Sequence, residues 1–256
     1  MYEQVVEFVK DAGERLRTKA GSIPDVGVLK AYLTEEDLRI EREFGELIKT
    51  FGSDHRLYAE EEHDFFESGD NVWVMDPISG TSLFIRGLPH YGIVVSHVQK
   101  GKVVFSAVLD PSMQNLYTAK QGEGTFLNGE RQTVGIVDAQ LPKVHLCVAH
   151  IWNQPETIAL LAGALKEFNI YRIPISVGVS YAYVATGKFD GMIALTKDSF
   201  PDFAGSLLVS EAGGIFTNGK GSGAIHPDDR VFVAGHPSVH AKLLDITQKI
   251  VRDMVR

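Results

Sequence analysis

Cysteine is almost missing from this chain: Cys147 stands alone among 256 residues. That excludes an internal disulfide and a multi-cysteine metal site, and it makes a reducing cytoplasm the expected compartment. Long apolar runs are missing too. None approaches the ~18–20 residues needed to span a bilayer, so no membrane partner is expected. The opening MYEQVVEFVKDAGERLR lacks a basic stretch followed by an apolar one and does not read as a secretory signal. Basic charge is scarce, with 25 Lys and Arg against 33 Asp and Glu and a net charge of −8. Duplex nucleic acid is therefore not expected as the main partner, because phosphate-backbone binding needs a basic surface. A locally anionic pocket that gathers divalent cations stays compatible with this balance. The 44% apolar and 23% charged residues are ordinary globular values and exclude disorder, collagen and coiled coil.

The apolar pattern supplies the elements. Tyr2, Val5, Val6, Val9, Ala12 and Leu16 form a helical stripe. After a loop with Gly21, Pro24 and Gly27, Thr34-Glu35-Glu36-Asp37 resembles a capping box, and Leu38, Phe44, Leu47, Ile48 and Phe51 continue a second amphipathic helix. Residues 72–75 read as a short strand. Residues 93–98 and 103–109 form a hairpin turned at Lys100-Gly101, and 115–119 add a strand. The glycines at 122, 124 and 129 mark tight turns. Beyond residue 140 helices and strands alternate: strands at 144–149, 170–173, 192–195 and 231–234, helices at 155–168, 181–186 and 203–212. Gly213-Gly214 stops the last of these, and Ser238 caps a final helix carrying Val239, Leu243, Ile246, Ile250 and Met254. The expectation is an α+β, layered fold: helices plus mostly antiparallel sheet over 1–135, a mixed α/β half over 136–256. No repeat, low-complexity tract or linker separates the halves, so a single continuous core over 1–256 is expected.

Chemistry concentrates where strands end. In Val72-Trp73-Val74-Met75-Asp76-Pro77-Ile78-Ser79-Gly80-Thr81-Ser82 an apolar strand runs into an acid and then a small-residue turn. Asp76 lies at the strand's end, and the Gly80 and Thr81 amides are offered where a helix could begin, a ready phosphate site. An ordinary turn uses the same residue types. Glu60-Glu61-Glu62 follows the apolar pair Leu57-Tyr58 and reads either as a solvated acidic loop or as part of a cation site. Asp202, at the start of the helix over 203–212, reads either as its cap or as a cation ligand. Ser79 or Ser82 as a nucleophile lacks a surrounding elbow motif. His55, His63 and Asp64 show no metal-ligand spacing, and Cys147 reads as a small buried apolar residue.

Together these segments resemble the inositol monophosphatase family, magnesium-dependent and lithium-sensitive phosphatases of small phosphate monoesters. Ala59-Glu60-Glu61 is similar to the family's Gly-Glu-Glu turn. Trp73 through Phe84 resembles its Trp-x-x-Asp-Pro-Ile/Leu-Asp-Gly-Thr motif. Pro201-Asp202-Phe203-Ala204 through Glu211-Ala212-Gly213-Gly214 resembles its C-terminal motif. Thr34 to Asp37, and Val184-Ala185-Thr186-Gly187 with Asp190, are weaker matches. The resemblance implies a layered α/β/α/β/α sandwich of the sugar-phosphatase type and a homodimer. It implies Mg²⁺, or Mn²⁺ in its place, held by Glu60, Asp76, the carbonyl of Ile78 and Asp202. It implies a substrate phosphate on Ile78, Ser79, Gly80, Thr81 and Ser176, with Thr81 and Glu60 orienting the attacking water.

Three departures qualify that implication. Ser79 stands where the family has a second Asp, which removes a ligand for a second metal. Pro201 and Phe203 replace the residues usual around Asp202. Ile193-Ala194-Leu195 is apolar where the family often places an acid that contacts the inositol ring, so a preference other than inositol phosphate is expected. The expected function is Mg²⁺-dependent hydrolysis of a small phosphate monoester, reduced by Ser79. The alternative is a non-catalytic family member that binds phosphate or a partner.

Overall fold

The computed structural model describes residues 1–28, 32–63, 69–135, 141–149, 152 and 154–254. The first helix, α1 (Tyr2–Lys19), buries Val5, Val9, Ala12 and Leu16 along one stripe. Helix α2 (Glu35–Lys49) begins at the capping box: Thr34 Oγ1 accepts from the Asp37 amide, and the Asp37 carboxylate accepts from the Thr34 amide.

Both helices cover one face of a seven-stranded sheet, β1 (His55–Ala59), β2 (Asn71–Ser79), β3 (Gly92–Gln99), β4 (Lys102–Asp110), β5 (Asn115–Lys120), β6 (Gly124–Leu127) and β7 (Glu130–Gln132), in that spatial order. Only β1 and β2 pair in parallel; every other neighbour is antiparallel. Between β2 and β3 lies the short α3 (Thr81–Ile85). The second sheet has the order β11-β12-β10-β8-β9, from β8 (Lys143–Val148), β9 (Asn169–Tyr171), β10 (Gly191–Leu195), β11 (Ile215–Asn218) and β12 (Val231–Gly235). Its β8–β9 and β8–β10 pairs are parallel and the rest antiparallel. Helices α5 (Val177–Ala185) and α6 (Phe200–Glu211) lie between the sheets. Helices α4 (Pro155–Ala164) and α7 (Pro237–Met254) cover the outer face of the second. This is the expected five-layer α/β/α/β/α sandwich.

Side-chain alternation explains the layers. On β2, Trp73 and Met75 join the cluster under α1 and α2, while Val72 and Val74 join Phe200 and Phe203 of α6 on the other face. On β10, Met192 and Ala194 meet α5 and α6, while Ile193 and Leu195 meet the layer of α4 and α7. Strands covered on both faces lose the polar alternation of a half-exposed strand, which is why β2 and β3 are buried almost throughout.

Several boundaries differ from the sequence reading. β2 runs on to Ser79 through Pro77, which sits in a register shift between Asp76 and Ser79 where no ladder N–H is required of it. β6, β7 and β11 span three or four residues each, too short to leave a periodicity. Helix α6 starts at Phe200, so Asp202 lies inside its first turn and does not cap it. The last helix starts at Pro237, and the Nδ1 of His236 accepts the Ser238 amide at 3.2 Å; His236, not Ser238, closes that end. The expected boundary at 135/136 adjoins residues 136–140, and Asp64 falls in 64–68; both lie outside the described residues.

Candidate active site

One wall of the candidate site is built from backbone. β2 ends at Ser79, and Gly80 turns the chain into α3 with φ +82°, a left-handed conformation that strains residues bearing a Cβ. A Cβ there would also stand 3.3 Å from that of Ser176. The Leu83 and Phe84 amides donate to the Gly80 carbonyl at 2.8 and 3.2 Å, and the Thr81 and Ser82 amides precede them at the open end of α3. The Thr81 hydroxyl donates to the Ile78 carbonyl at 2.8 Å and lies 3.4 Å from Asp37 Oδ1. Asp37 thus serves both the start of α2 and this turn. Burial pushes its carboxyl up to about 7 against the lowering pull of the Thr34 hydrogen bonds, with Glu61 and Glu60 adding repulsion. Facing Gly80, Ser176 caps α5: its hydroxyl accepts the Val179 amide at 3.1 Å, and its own amide donates to the His90 carbonyl at 2.8 Å.

The other wall is built from charged side chains. Glu60 follows β1 directly. The turn beyond it is folded back by the buried Glu41 of α2, which accepts the amides of Glu61 and Glu62 at 2.9 and 2.7 Å and contacts His63 Nδ1 at 2.7 Å. It is therefore an organised turn rather than a solvated loop. Lys197, between β10 and α6, places its Nζ 2.5 Å from Glu60 Oε1 and 3.6 Å from Asp198 Oδ2. Asp76 is 4% exposed, and its Oδ1 has no hydrogen-bond partner. Burial first, then the charges of Glu60 and Asp198, hold its carboxyl well above the usual range, while Lys197 acts in the opposite sense. Burial lowers the Lys197 ammonium, but the charges of Glu60, Asp198 and Asp76 outweigh it and leave the group raised and protonated.

Asp202 is fully buried. Its Oδ1 accepts the Tyr181 hydroxyl at 2.5 Å and its Oδ2 has no partner. The two helices meet closely there, since a Cβ on Gly205 would lie 2.3 Å from the Tyr181 ring. Burial holds both groups well above their ordinary ranges.

The walls enclose a cleft of about 870 Å³. Glu60, Asp76, Ile78, Ser79, Gly80, Thr81 and Ser176 all line it, as do Lys197, Asp198 and Pro201. Asp202 is not among its lining residues. Neither are Ile193, Ala194 and Leu195, which lie buried in β10. Their apolarity follows from sheet burial and carries no information on sugar recognition, which corrects the expectation of an altered ring contact there. Cys147 is half-buried and lines the cleft, not the core interior expected of it. Burial and then the charge of Asp202 push its thiol up to about 12, so it is protonated and unreactive at neutral pH. His55 is engaged by the Trp73 indole N–H at 2.8 Å. Lys197 and Tyr181 escaped the sequence reading as site residues, and Asp37 stood in it only as part of the capping box and of a weaker family match.

Residues 1–252 match the inositol monophosphatase family. The chain belongs to that family. Family relatives include the fructose-1,6-bisphosphatase/inositol-1-monophosphatase of Thermotoga maritima, 27% identical and covering 97% of this chain and 96% of its own. Another, from Pasteurella multocida, is named Nus factor SuhB; it is 29% identical over 87% of this chain and 84% of its own. The solved Thermotoga maritima IMPase superposes with a TM-score of 0.86 at 26% identity, covering 98% of both chains. The family thus includes members named as phosphatases and members named otherwise.

The residues present do not fit the divalent-cation set that the family resemblance implies. Ser79 offers a neutral hydroxyl in place of a carboxylate. Glu60 is held by an ammonium. Among the described residues no three acidic, histidine or cysteine side chains stand together so as to hold an ion. The unpartnered oxygens of Asp76 and Asp202 remain, but only Asp76 lines the cleft.

Proposed function

We propose that the cleft receives the phosphate of a small phosphate monoester, and that hydrolysis of that ester is the activity to seek in it. The observation that carries this reading is the Ile78–Ser82 turn. It lines a cleft large enough for a phosphorylated sugar or polyol, with the left-handed Gly80 opening α3 beside the capped start of α5. Backbone amides at such a turn suit phosphate oxygens whatever the side chain at position 79. Ser79 and Ser176 add hydroxyls on either side, and the Ile78 carbonyl holds the Thr81 hydroxyl in place.

The second reading, a family member that binds phosphate or a partner without turnover, is favoured by the state of the acidic wall. Family chemistry needs a divalent ion to lower the pKa of water and to neutralise the leaving oxygen. Here Ser79 and the Glu60–Lys197 pair stand in that place. A cytoplasmic homodimer formed by one continuous fold belongs to the same proposal, on family likeness. The experiment is phosphate release from a panel of sugar, inositol and nucleotide monophosphates with and without Mg²⁺, alongside binding of the same compounds. Binding with turnover supports hydrolysis, binding without turnover supports the second reading, and no binding of any monoester refutes both.

A further inference from the structure

We propose that Lys197 is the resident cation of the cleft: its ammonium group stands against Glu60 beside Asp76, in the place that family likeness gives to a divalent metal, and serves a phosphate there without one. The inference rests on the phosphate-site proposal and goes beyond it, because it assigns the charge that faces the phosphate to this chain's own side chain.

Three observations carry it. The first is contact: Lys197 Nζ lies 2.5 Å from Glu60 Oε1 and 3.6 Å from Asp198 Oδ2, and Asp76 lines the same cleft. An ammonium has three donors and no acceptor, so after serving Glu60 it retains N–H groups for an incoming anion. At 45% side-chain exposure, against 10% for Glu60, it stays reachable from the cleft that it lines.

The second is that the Lys197 backbone is framed on both sides. The Thr196 amide donates to the Arg230 carbonyl at 2.9 Å, and the Thr196 carbonyl accepts the Trp152 indole N–H at 2.8 Å. Two residues on, the Ser199 hydroxyl donates to the Pro227 carbonyl at 3.1 Å. Lys197 thus projects from a pinned segment.

The third is complementary loss. Where the family resemblance places a second metal carboxylate, this chain has the hydroxyl of Ser79. A site with fewer anionic ligands and an ammonium against one of them binds a divalent ion less tightly for two reasons: it offers less negative charge, and the cation must displace or repel Lys197. A lysine can hold phosphate as a point charge, but unlike a metal it does not acidify a bound water. The arrangement therefore favours binding over fast hydrolysis.

The test uses the full chain and two probes, Mn²⁺ followed by electron paramagnetic resonance and inorganic phosphate followed by calorimetry. Wild type, Lys197→Arg and Lys197→Met are compared, with folding checked by circular dichroism. The expected results are millimolar or weaker Mn²⁺ binding by wild type and Lys197→Arg, and at least tenfold tighter binding by Lys197→Met. Phosphate binding by wild type should change less than twofold on adding EDTA, and Lys197→Met should lose at least tenfold of it in EDTA. Micromolar Mn²⁺ binding by wild type, or loss of its phosphate binding in EDTA, overturns the inference. If Lys197→Met does not fold, the wild-type and Lys197→Arg measurements still decide it. If phosphate binds no variant under any condition while the Mn²⁺ order holds, the phosphate-site reading fails and the assignment of Lys197 as the cation stands. Tight Mn²⁺ binding by a wild type that also binds phosphate overturns the assignment of Lys197 and leaves the phosphate site standing.

Discussion

The two walls of the cleft are made of different materials. The Ile78–Ser82 wall presents main chain, shaped by the left-handed Gly80 and braced by Thr81 and Asp37. The opposite wall presents the ionisable side chains of Glu60, Asp76, Lys197 and Asp198. A wall of amides keeps its chemistry when a neighbouring side chain changes, so Ser79 leaves it intact. A wall of carboxylates is a balance of charge, and one substituted acid or one introduced ammonium resets what it can hold. The two walls thus depend on separate residues, so a substitution in one leaves the other's groups in place.

The largest expected effect breaks the backbone wall. Gly80→Val forces a β-branched residue into φ +82° and against Ser176. It should abolish measurable phosphate binding and lower stability by about 1–2 kcal/mol, read by calorimetry and denaturant unfolding. Ser79→Ala, which leaves the amides alone, should change phosphate binding less than threefold.

The charged wall is sharpened next by pairing two changes. Ser79→Asp alone adds a carboxylate beside the already repelled Asp76. It should lower the melting temperature without creating a tight Mn²⁺ site. Ser79→Asp combined with Lys197→Met should bind Mn²⁺ more tightly than either single variant, measured by the same resonance titration.

A smaller effect follows from Asp76 itself. Its raised carboxyl pKa means that the folded state keeps a proton that the unfolded chain releases. The group's stabilising contribution is full below the ordinary carboxylate range, near 3.8, and is lost as pH rises from there through the raised folded value. Asp76→Asn should flatten that decline and leave the protein more stable than wild type at pH 7. Denaturant unfolding from pH 4 to 8 checks it; greater wild-type stability at pH 7 than at pH 5, with the difference removed in Asp76→Asn, would contradict it. The smallest effect is a null one. Cys147 lines the cleft yet should react with iodoacetamide no faster than an ordinary buried thiol, because its proton is held to about pH 12.

Much of the backbone wall was legible in sequence, because its elements are contiguous: an apolar strand, an acid, a proline and a small-residue turn lie within eleven positions. The helical stripes, the hairpin at Lys100-Gly101 and the alternation beyond residue 140 led only to a layered α/β expectation, and the count of five layers came from the family resemblance. What escaped has physical causes. Strands of three or four residues leave no period. β10 reads as apolar because both its faces are covered, which made Ile193-Ala194-Leu195 look like an altered binding site. Lys197 was invisible because its partner Glu60 is 137 positions away. Nothing in Leu195-Thr196-Lys197-Asp198 distinguishes that lysine from a solvated one.

The most direct test is a crystal of the wild-type protein soaked in Mn²⁺ and inorganic phosphate, with anomalous data collected at the manganese edge. Phosphate is expected on the first amides of α3 and within hydrogen-bond reach of Lys197 Nζ, with no anomalous peak among Glu60, Asp76 and Asp202. A manganese peak bridging those carboxylates, with Lys197 turned out of the cleft, would contradict it.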